Sequence, residues 1–219
     1  MKPIIVLADQ HFPFADRRTI EWSIEYIKEV KPSRIVLLGD LIDFYSISHF
    51  TKDPSKRNLK KEVDSAREYI AKIDSLNYDT TYIKGNHEHR WEKYVWDKAP
   101  ELVGLDEVSF NNLLRIPDRW QVVGYNKRVI HGNIVFFHGD KCGAGLFDKN
   151  LQLGMSSICG HSHLLGVKYR RMADYRIIAA ASSGCQCSYE VDFTTFSNWQ
   201  RGLCICYSSK DIRTIVSPF

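Results

Sequence analysis

Arg34-Ile35-Val36-Leu37-Leu38-Gly39-Asp40-Leu41-Ile42-Asp43 is a short apolar run that breaks at a glycine into two carboxylates. With helical patterns on either side, it reads as a buried strand of a parallel sheet. Upstream, Asp16 is placed to cap a helix in which Ile20, Ile24, Ile27 and Val30 recur at helical spacing, and Lys31-Pro32 ends it. A first strand, Ile4 to Ala8, precedes that helix. Downstream, Leu59, Val63, Ala66, Ile70 and Ile73 mark a second amphipathic helix, and Thr80 to Lys84 a third strand. Consecutive βαβ units of this kind favour parallel pairing.

From residue 120 the texture changes to short β-rich runs: Gln121–Gly124, Lys127–Ile130, Ile134–Phe137, Ser157–Cys159, Val167–Met172, Arg176–Ala181, Leu203–Tyr207 and Ile212–Val216. Gly132-Asn133 signals a hairpin between two of them. Trp91 to Leu114 is expected to be helical, interrupted at Pro100. There is no internal repeat or Gly/Ser linker, and 219 residues suit one α/β domain, 1–219, whose halves are two sheets.

Five strand-like runs end in polar clusters: Leu7-Ala8-Asp9-Gln10-His11, Leu38-Gly39-Asp40-Leu41-Ile42-Asp43, Lys84-Gly85-Asn86-His87-Glu88, Phe137-His138-Gly139-Asp140 and Cys159-Gly160-His161-Ser162-His163. Ligands of α/β sheets collect outside the carboxyl ends of strands, so five such ends can aim at one place. In extended chain, residues i and i+2 point to the same side, which would pair Asp9 with His11 and His161 with His163. Imidazole with carboxylate and carbonyl oxygen favours manganese, with iron, zinc, cobalt and nickel as alternatives, over calcium. Seven candidate ligands suit two divalent ions, with one carboxylate to bridge. Two such ions activate water and clamp both the attacking and the leaving oxygen of a displacement at phosphorus.

The ordered motifs D-x-H, G-D-x-x-D, G-N-H-[DE], H and G-H-x-H, spanning Asp9 to His163, resemble the calcineurin-like metallophosphoesterase superfamily. The resemblance implies a two-sheet β-sandwich flanked by helices. It further implies that Asp9, His11 and His163 hold one ion, that Asn86, His138 and His161 hold the other, and that Asp40 bridges. His87 is then the group that binds the phosphoryl oxygen and protonates the leaving group, and Asp43 the carboxylate that orients it. Gly39-Asp40-Leu41-Ile42-Asp43-Phe44-Tyr45 lacks the Arg-Gly of the protein Ser/Thr phosphatase branch. His11 is followed by Phe12-Pro13-Phe14, where the double-strand-break nuclease branch carries Leu-Gly. What remains is similar to short single-domain enzymes of bacteria and phages, which makes nucleotides or nucleic acid the leading phosphoester substrate. A protein phosphatase and a non-catalytic binding module on the same fold are the competing readings.

The remaining residues divide less sharply. His49, after Asp43, and His89 with Arg90, after His87, are substrate-contact candidates, the alternative being a solvated turn. His131 reads as a surface turn. Trp91, Tyr94 and Trp96 either stack on a base or dock a helix onto the core. Residues 44–61 carry Lys52, Lys56, Arg57, Lys60 and Lys61 against one acid, Asp53, and could flank an extended anionic substrate. Cys185-x-Cys187 and Cys204-x-Cys206 could present four thiolates to zinc, but same-face strand spacing fits buried hydrophobes better. A net charge of +4, from 30 basic and 26 acidic residues, suits an anionic substrate without marking a dedicated nucleic-acid binder. No export signal and no run of 18 apolar residues is present, so a cytoplasmic protein with free thiols and no membrane contact is expected.

Overall fold

The computed structural model describes residues 2–51, 53–143, 145–189 and 198–219. Strand β1 (Ile4–Leu7) pairs in parallel with β2 (Arg34–Leu37), β2 with β3 (Asp79–Ile83), and β3 with β4 (Gln121–Val123). Two later strands, β10 (Gly202–Ser208) and β11 (Asp211–Val216), extend this sheet antiparallel beyond β1, giving the order β11-β10-β1-β2-β3-β4. The second sheet has the order β5-β6-β7-β9-β8, from β5 (Val129–His131), β6 (Ile134–Phe137), β7 (Ser156–Cys159), β8 (Leu165–Arg171) and β9 (Ile177–Ser183). Its three central strands are parallel and its two edges antiparallel. The expected two-sheet sandwich flanked by helices is the fold observed.

Side-chain alternation divides the first sheet between two cores. Ile5, Leu7, Ile35, Leu37 and Tyr82 face outward with Ile20, Ile27, Val63, Ala66, Ile70 and Ile73 of α1 (Arg17–Val30) and α2 (Leu59–Ser75). Val6, Ala8, Val36, Leu38 and Ile83 point the other way, against Ile134, Phe136, Ile158, Ala179 and Ala181 of the second sheet. Each fully buried Leu, Ile or Val contributes about 1.5–3 kcal/mol. Asp16 caps α1 by accepting from the Thr19 amide at 2.8 Å, and Lys31 closes the helix in a left-handed conformation. Gly132 and Asn133, with φ of 55° and 62°, make the tight turn between β5 and β6 that their sequence signalled. No helix among the described residues is long and apolar enough to cross a membrane.

The helix expected over Trp91–Leu114 is displaced. Helix α3 spans Asn86–Lys98, so it starts directly from the turn after β3; between Pro100 and Leu114 only α4 (Phe110–Leu114) is α-helical. The Glu88 carboxylate accepts from the Gly85 amide at 2.6 Å, closing the first turn in the manner of a capping box. Asn86 and His87 therefore sit in a rigid helical turn, not in a loop. His131 is half-buried on β5, with Nε2 3.1 Å from Thr81 Oγ1, and is no surface turn.

Candidate metal centre

Asp9 and His11 follow β1, Asp40 and Asp43 follow β2, Asn86 and His87 open α3 after β3, His138 follows β6, and His161 and His163 follow β7. The carboxyl ends of five strands from both sheets thus converge. The turns are tight: Asp9, His11, Asp40, His161 and His163 all have φ between 49° and 65°. Non-glycine residues occupy this left-handed region at a cost and are held there by their surroundings. The i, i+2 argument for extended chain is accordingly not how Asp9 and His11, or His161 and His163, come together. Gly85 is required by close approach, since a Cβ there would lie 2.2 Å from Asp40 Oδ1 and 2.8 Å from the His138 ring.

Three histidines have Nδ1 held by a carbonyl or a carboxylate and Nε2 turned toward the cluster. His138 Nδ1 donates to the Leu38 carbonyl at 2.6 Å, leaving Nε2 3.3 Å from Asp40 Oδ2 and 2.9 Å from Asn86 Oδ1. His11 Nδ1 bonds the Asp43 carboxylate at 3.0 Å, leaving Nε2 3.1 Å from His163 Nε2. His87 Nδ1 donates to the Asp43 main-chain carbonyl at 2.8 Å. His161 Nδ1 lies 2.9 Å from Asn86 Oδ1. Fixing one nitrogen and aiming the other is how proteins prepare imidazole as a ligand. Three sets could hold an ion here: Asp9 with His11 and His163, Asp40 with His138 and His161, and His11 with Asp40 and His87.

The sequence profile of the calcineurin-like phosphoesterase family matches residues 2–171. The chain belongs to that family. It is a metal-dependent phosphoesterase. Gene 54 protein of Mycobacterium phage D29 is 29% identical over 182 residues, covering 76% of this chain and 71% of the phage protein. Its namesake from Mycobacterium phage L5 is 28% identical over 181 residues, with the same coverage of 76% and 71%. The fold of YfcE, a phosphoesterase from E. coli, superposes with a TM-score of 0.50 at 12% identity, covering 98% of both chains.

The donor set of this phosphoesterase fits divalent metal. Both Asp9 carboxylate oxygens are buried without a hydrogen-bond partner among the described residues, a costly state for a carboxylate unless a cation accepts its lone pairs. In the metal-free protein burial raises the Asp9 carboxyl to about 8, with Asp40 adding to the rise. Burial would depress His138 and His11, but it is outweighed: the Asp40 charge lifts His138 to about 10, and the Asp43 hydrogen bond with Asp40 lifts His11 to about 9. All three groups are raised, so all three hold protons at pH 7 and a cation must displace them. Loading Mn²⁺ at pH 7 is therefore expected to release protons, and apparent affinity to rise as pH is raised toward 8. Calorimetry in buffers of different ionisation enthalpy checks this; a heat independent of buffer would contradict it.

Glu88 is a residue to which the sequence reading gave no role. Its buried carboxylate accepts from the amides of Asp40 at 2.9 Å, Leu41 at 2.7 Å and Gly85 at 2.6 Å, and from the Tyr82 hydroxyl at 2.9 Å. It ties the turn that carries Asp40 to the turn that carries Asn86. The Gly85-to-Glu88 spacing of a capping box was the available signal.

The three substrate-contact candidates separate. Arg90 reaches the centre, donating to His87 Nε2 at 3.0 Å and to the Asp43 carbonyl at 3.0 Å. His89 turns away to bond Glu92 at 2.8 Å and to stack on Tyr125 at 4.9 Å. His49 is exposed and packs on Phe50, outside the cluster. Trp91 docks onto the core, stacked on Phe44 with its indole N–H on the Val108 carbonyl; Trp96 stays 53% exposed beside His89. Lys60 is paired with Asp64 and Lys52 lies outside the described residues. The two Cys-x-Cys pairs do not form one four-thiolate cluster: Cys204 and Cys206 are part of the inter-sheet core, whereas Cys185 and Cys187 lie beside His163.

Proposed function

We propose that this phosphoesterase works with two divalent cations, manganese foremost, and hydrolyses phosphomono- or phosphodiesters of nucleotides or nucleic acid. The observation that carries the two-ion reading is the position of Asp40, whose Oδ2 lies 3.3 Å from His138 Nε2 and 3.9 Å from His11 Nε2, between two ligand sets. In this reading Asp9, His11 and His163 hold one ion, Asn86, His138 and His161 the other, and Asp40 serves both. Bound there, such a pair supplies activated water and neutralises charge on the phosphoryl oxygens. His87 carries a proton at Nε2 to the leaving oxygen, with its ring held by the Asp43 carbonyl. Arg90 bonds that same nitrogen, so a phosphoryl group that draws the guanidinium onto itself frees Nε2 for the proton. The proposal extends to one domain over these 219 residues acting in the cytoplasm, in keeping with its six free cysteines.

A nucleotide substrate is supported by a cavity of about 360 Å³ that reaches His138 and is lined by Tyr125, Asn126, Lys127, Arg128 and Lys149. Tyr125, stacked on its other side by His89, offers a ring face for a base; Arg128 lies over Phe137 at 5.4 Å, a contact that uses the guanidinium face rather than its N–H groups. Mn²⁺-dependent hydrolysis of p-nitrophenyl phosphate and its bis ester, lost on chelation, tests the chemistry. No turnover of either ester after loading would overturn it, and preference for phosphopeptides over nucleotides would overturn the substrate class.

Lys127→Ala with Arg128→Ala should raise KM for a dinucleotide or short oligonucleotide while sparing p-nitrophenyl phosphate, which is too small to need both. The salt dependence of oligonucleotide affinity should flatten by about 0.7 in log–log slope for each phosphate that is no longer neutralised. The same measurement on Lys56→Ala with Arg57→Ala reports on the loop of residues 44–61. A larger effect there would move the extended substrate from the cavity to that loop.

A further inference from the structure

Gln10 and Gln186 are fully buried and joined side chain to side chain at 2.8 Å, while the Gln186 amide donates to the Asp9 carbonyl at 3.0 Å. Each glutamine sits in the middle of a three-residue pattern, Asp9-Gln10-His11 on one segment and Cys185-Gln186-Cys187 on the other. Cys187 is bridged to Ala15 and Cys185 to Arg201, so the second segment is extended and turns both thiols to the side opposite Gln186. On that side lies His163. Its Nδ1 is 3.8 Å from Cys187 Sγ, and a nitrogen of His163 with the sulfurs of Cys185 and Cys187 forms a set of potential ligand atoms all within 4.8 Å of one another. The opposite nitrogen, Nε2, faces His11 at 3.1 Å and Asp9 Oδ1 at 4.0 Å. One imidazole thus stands between an oxygen-and-nitrogen ligand set and a thiol pair.

We propose that Cys185, Cys187 and His163 Nδ1 form a second kind of metal site, for a thiophilic ion such as Zn²⁺ or Cd²⁺, and that filling it withdraws His163 from the catalytic set. This rests on the reading of His163 as a ligand in the proposed function. Two sulfurs and one imidazole nitrogen, with a fourth position open, is a ligand combination zinc takes. Tetrahedral zinc with ordinary Zn–S and Zn–N bonds separates sulfur from nitrogen by about 3.6 Å, so the 3.8 Å between Cys187 Sγ and His163 Nδ1 needs to contract only slightly. Manganese prefers oxygen and nitrogen donors, so the thiol pair distinguishes the two metal classes. Binding forms two metal–thiolate bonds, releases two protons to solvent and involves no change of oxidation state. A neutral imidazole has one ring lone pair: a cation on Nδ1 leaves the proton on Nε2, which then cannot serve Asp9 and His11 as a co-ligand. The half-buried Trp199 ring, 4.0 Å from His163, packs against this shared histidine.

The test uses the full chain, stripped of metal, kept reduced, loaded with Mn²⁺ and titrated with Co²⁺. Wild type should develop a thiolate-to-cobalt charge-transfer band in the near ultraviolet. Cys185→Ser with Cys187→Ser should abolish that band, whereas Cys142→Ser should leave it whole. Should the double variant not fold, Cys187→Ser alone is expected to lose about half the intensity. In parallel, Zn²⁺ added over Mn²⁺ should lower wild-type turnover of p-nitrophenyl phosphate at least ~10-fold, the scale of losing a metal's supporting partner. The ratio of rates with and without Zn²⁺ should move toward one in the serine variants. No thiolate band in wild type, or a band that survives both serine substitutions, would overturn the site. A band without any hydrolysis would leave the thiophilic site standing and count against the proposed function; hydrolysis without a band would do the reverse.

Discussion

Asp40→Asn is expected to lose metal and to reduce hydrolysis by more than ~100-fold, since even outer-shell partners of a metal ligand cost 10- to 100-fold. The Asp40 carboxyl is held well below the ordinary carboxylate range: burial opposes ionisation, but the charge and the hydrogen bond of His138 more than offset it. It is thus the ionised acid among neighbours of both ligand sets, while Asp9 holds its proton until a cation arrives. Asparagine keeps the shape and one acceptor oxygen but removes the charge and the ability to serve two cations. The Asp40 Oδ1 atom also accepts from the His87 amide at 2.9 Å, a bond an asparagine oxygen can retain, so the fold should survive. Elemental analysis after reconstitution with excess Mn²⁺ checks the result. Two ions still bound per chain would end the bridging assignment, and one or none in wild type would end the two-ion reading.

His87→Ala should keep nearly all the metal and lower kcat by ~10²- to 10⁴-fold for substrates with poor leaving groups. Burial holds the His87 imidazole down at about 4, so it is neutral at pH 7 before substrate binds. Its Nδ1–H is committed to the Asp43 carbonyl, and the proton for the leaving oxygen has to enter at Nε2, beside Asp40 Oδ2 at 3.7 Å and Arg90. Added negative charge from a phosphoryl group favours that protonation. An aryl ester such as p-nitrophenyl phosphate leaves without needing the proton and should suffer far less than an alkyl or nucleoside ester. Equal losses on both would remove the acid role. Since His11, Asp40 and His87 also form a set able to hold an ion, metal lost together with His87 would make it a ligand instead.

Much of this was legible beforehand because the signals are local. Ile4–Ala8, Arg34–Leu38 and Thr80–Lys84 are apolar runs of strand length, and Ile20, Ile24 and Ile27 recur at helical spacing, so chain-local periodicity marked the β1-α1-β2-α2-β3 units. The order of the motif blocks singled out Asp9, Asp40, Asn86, His138, His161 and His163, and the fold brings them to one place. Turn geometry was less visible. Asp9, His11, His161 and His163 looked like alternating residues of extended chain, but the backbone there is left-handed. A short polar segment has several conformations of similar energy, and here contacts from distant residues select one, such as the bond from the Gln186 amide to the Asp9 carbonyl.

What the sequence determined by itself was the set of strands, the two long helices and the inventory of metal-compatible side chains, because each depends on residues within a few positions of one another. Only the tertiary structure decided which atoms face the centre. The carboxylate of Asp43 went to His11 and its carbonyl to His87; Glu88 became the tie between two turns; one Cys-x-Cys pair joined the core while the other came to rest against His163. These outcomes follow from how the ends of separate strands meet when two sheets pack face to face. Residues more than a hundred positions apart, such as His11 and His163, become hydrogen-bonding neighbours only through that packing, and no local pattern encodes it.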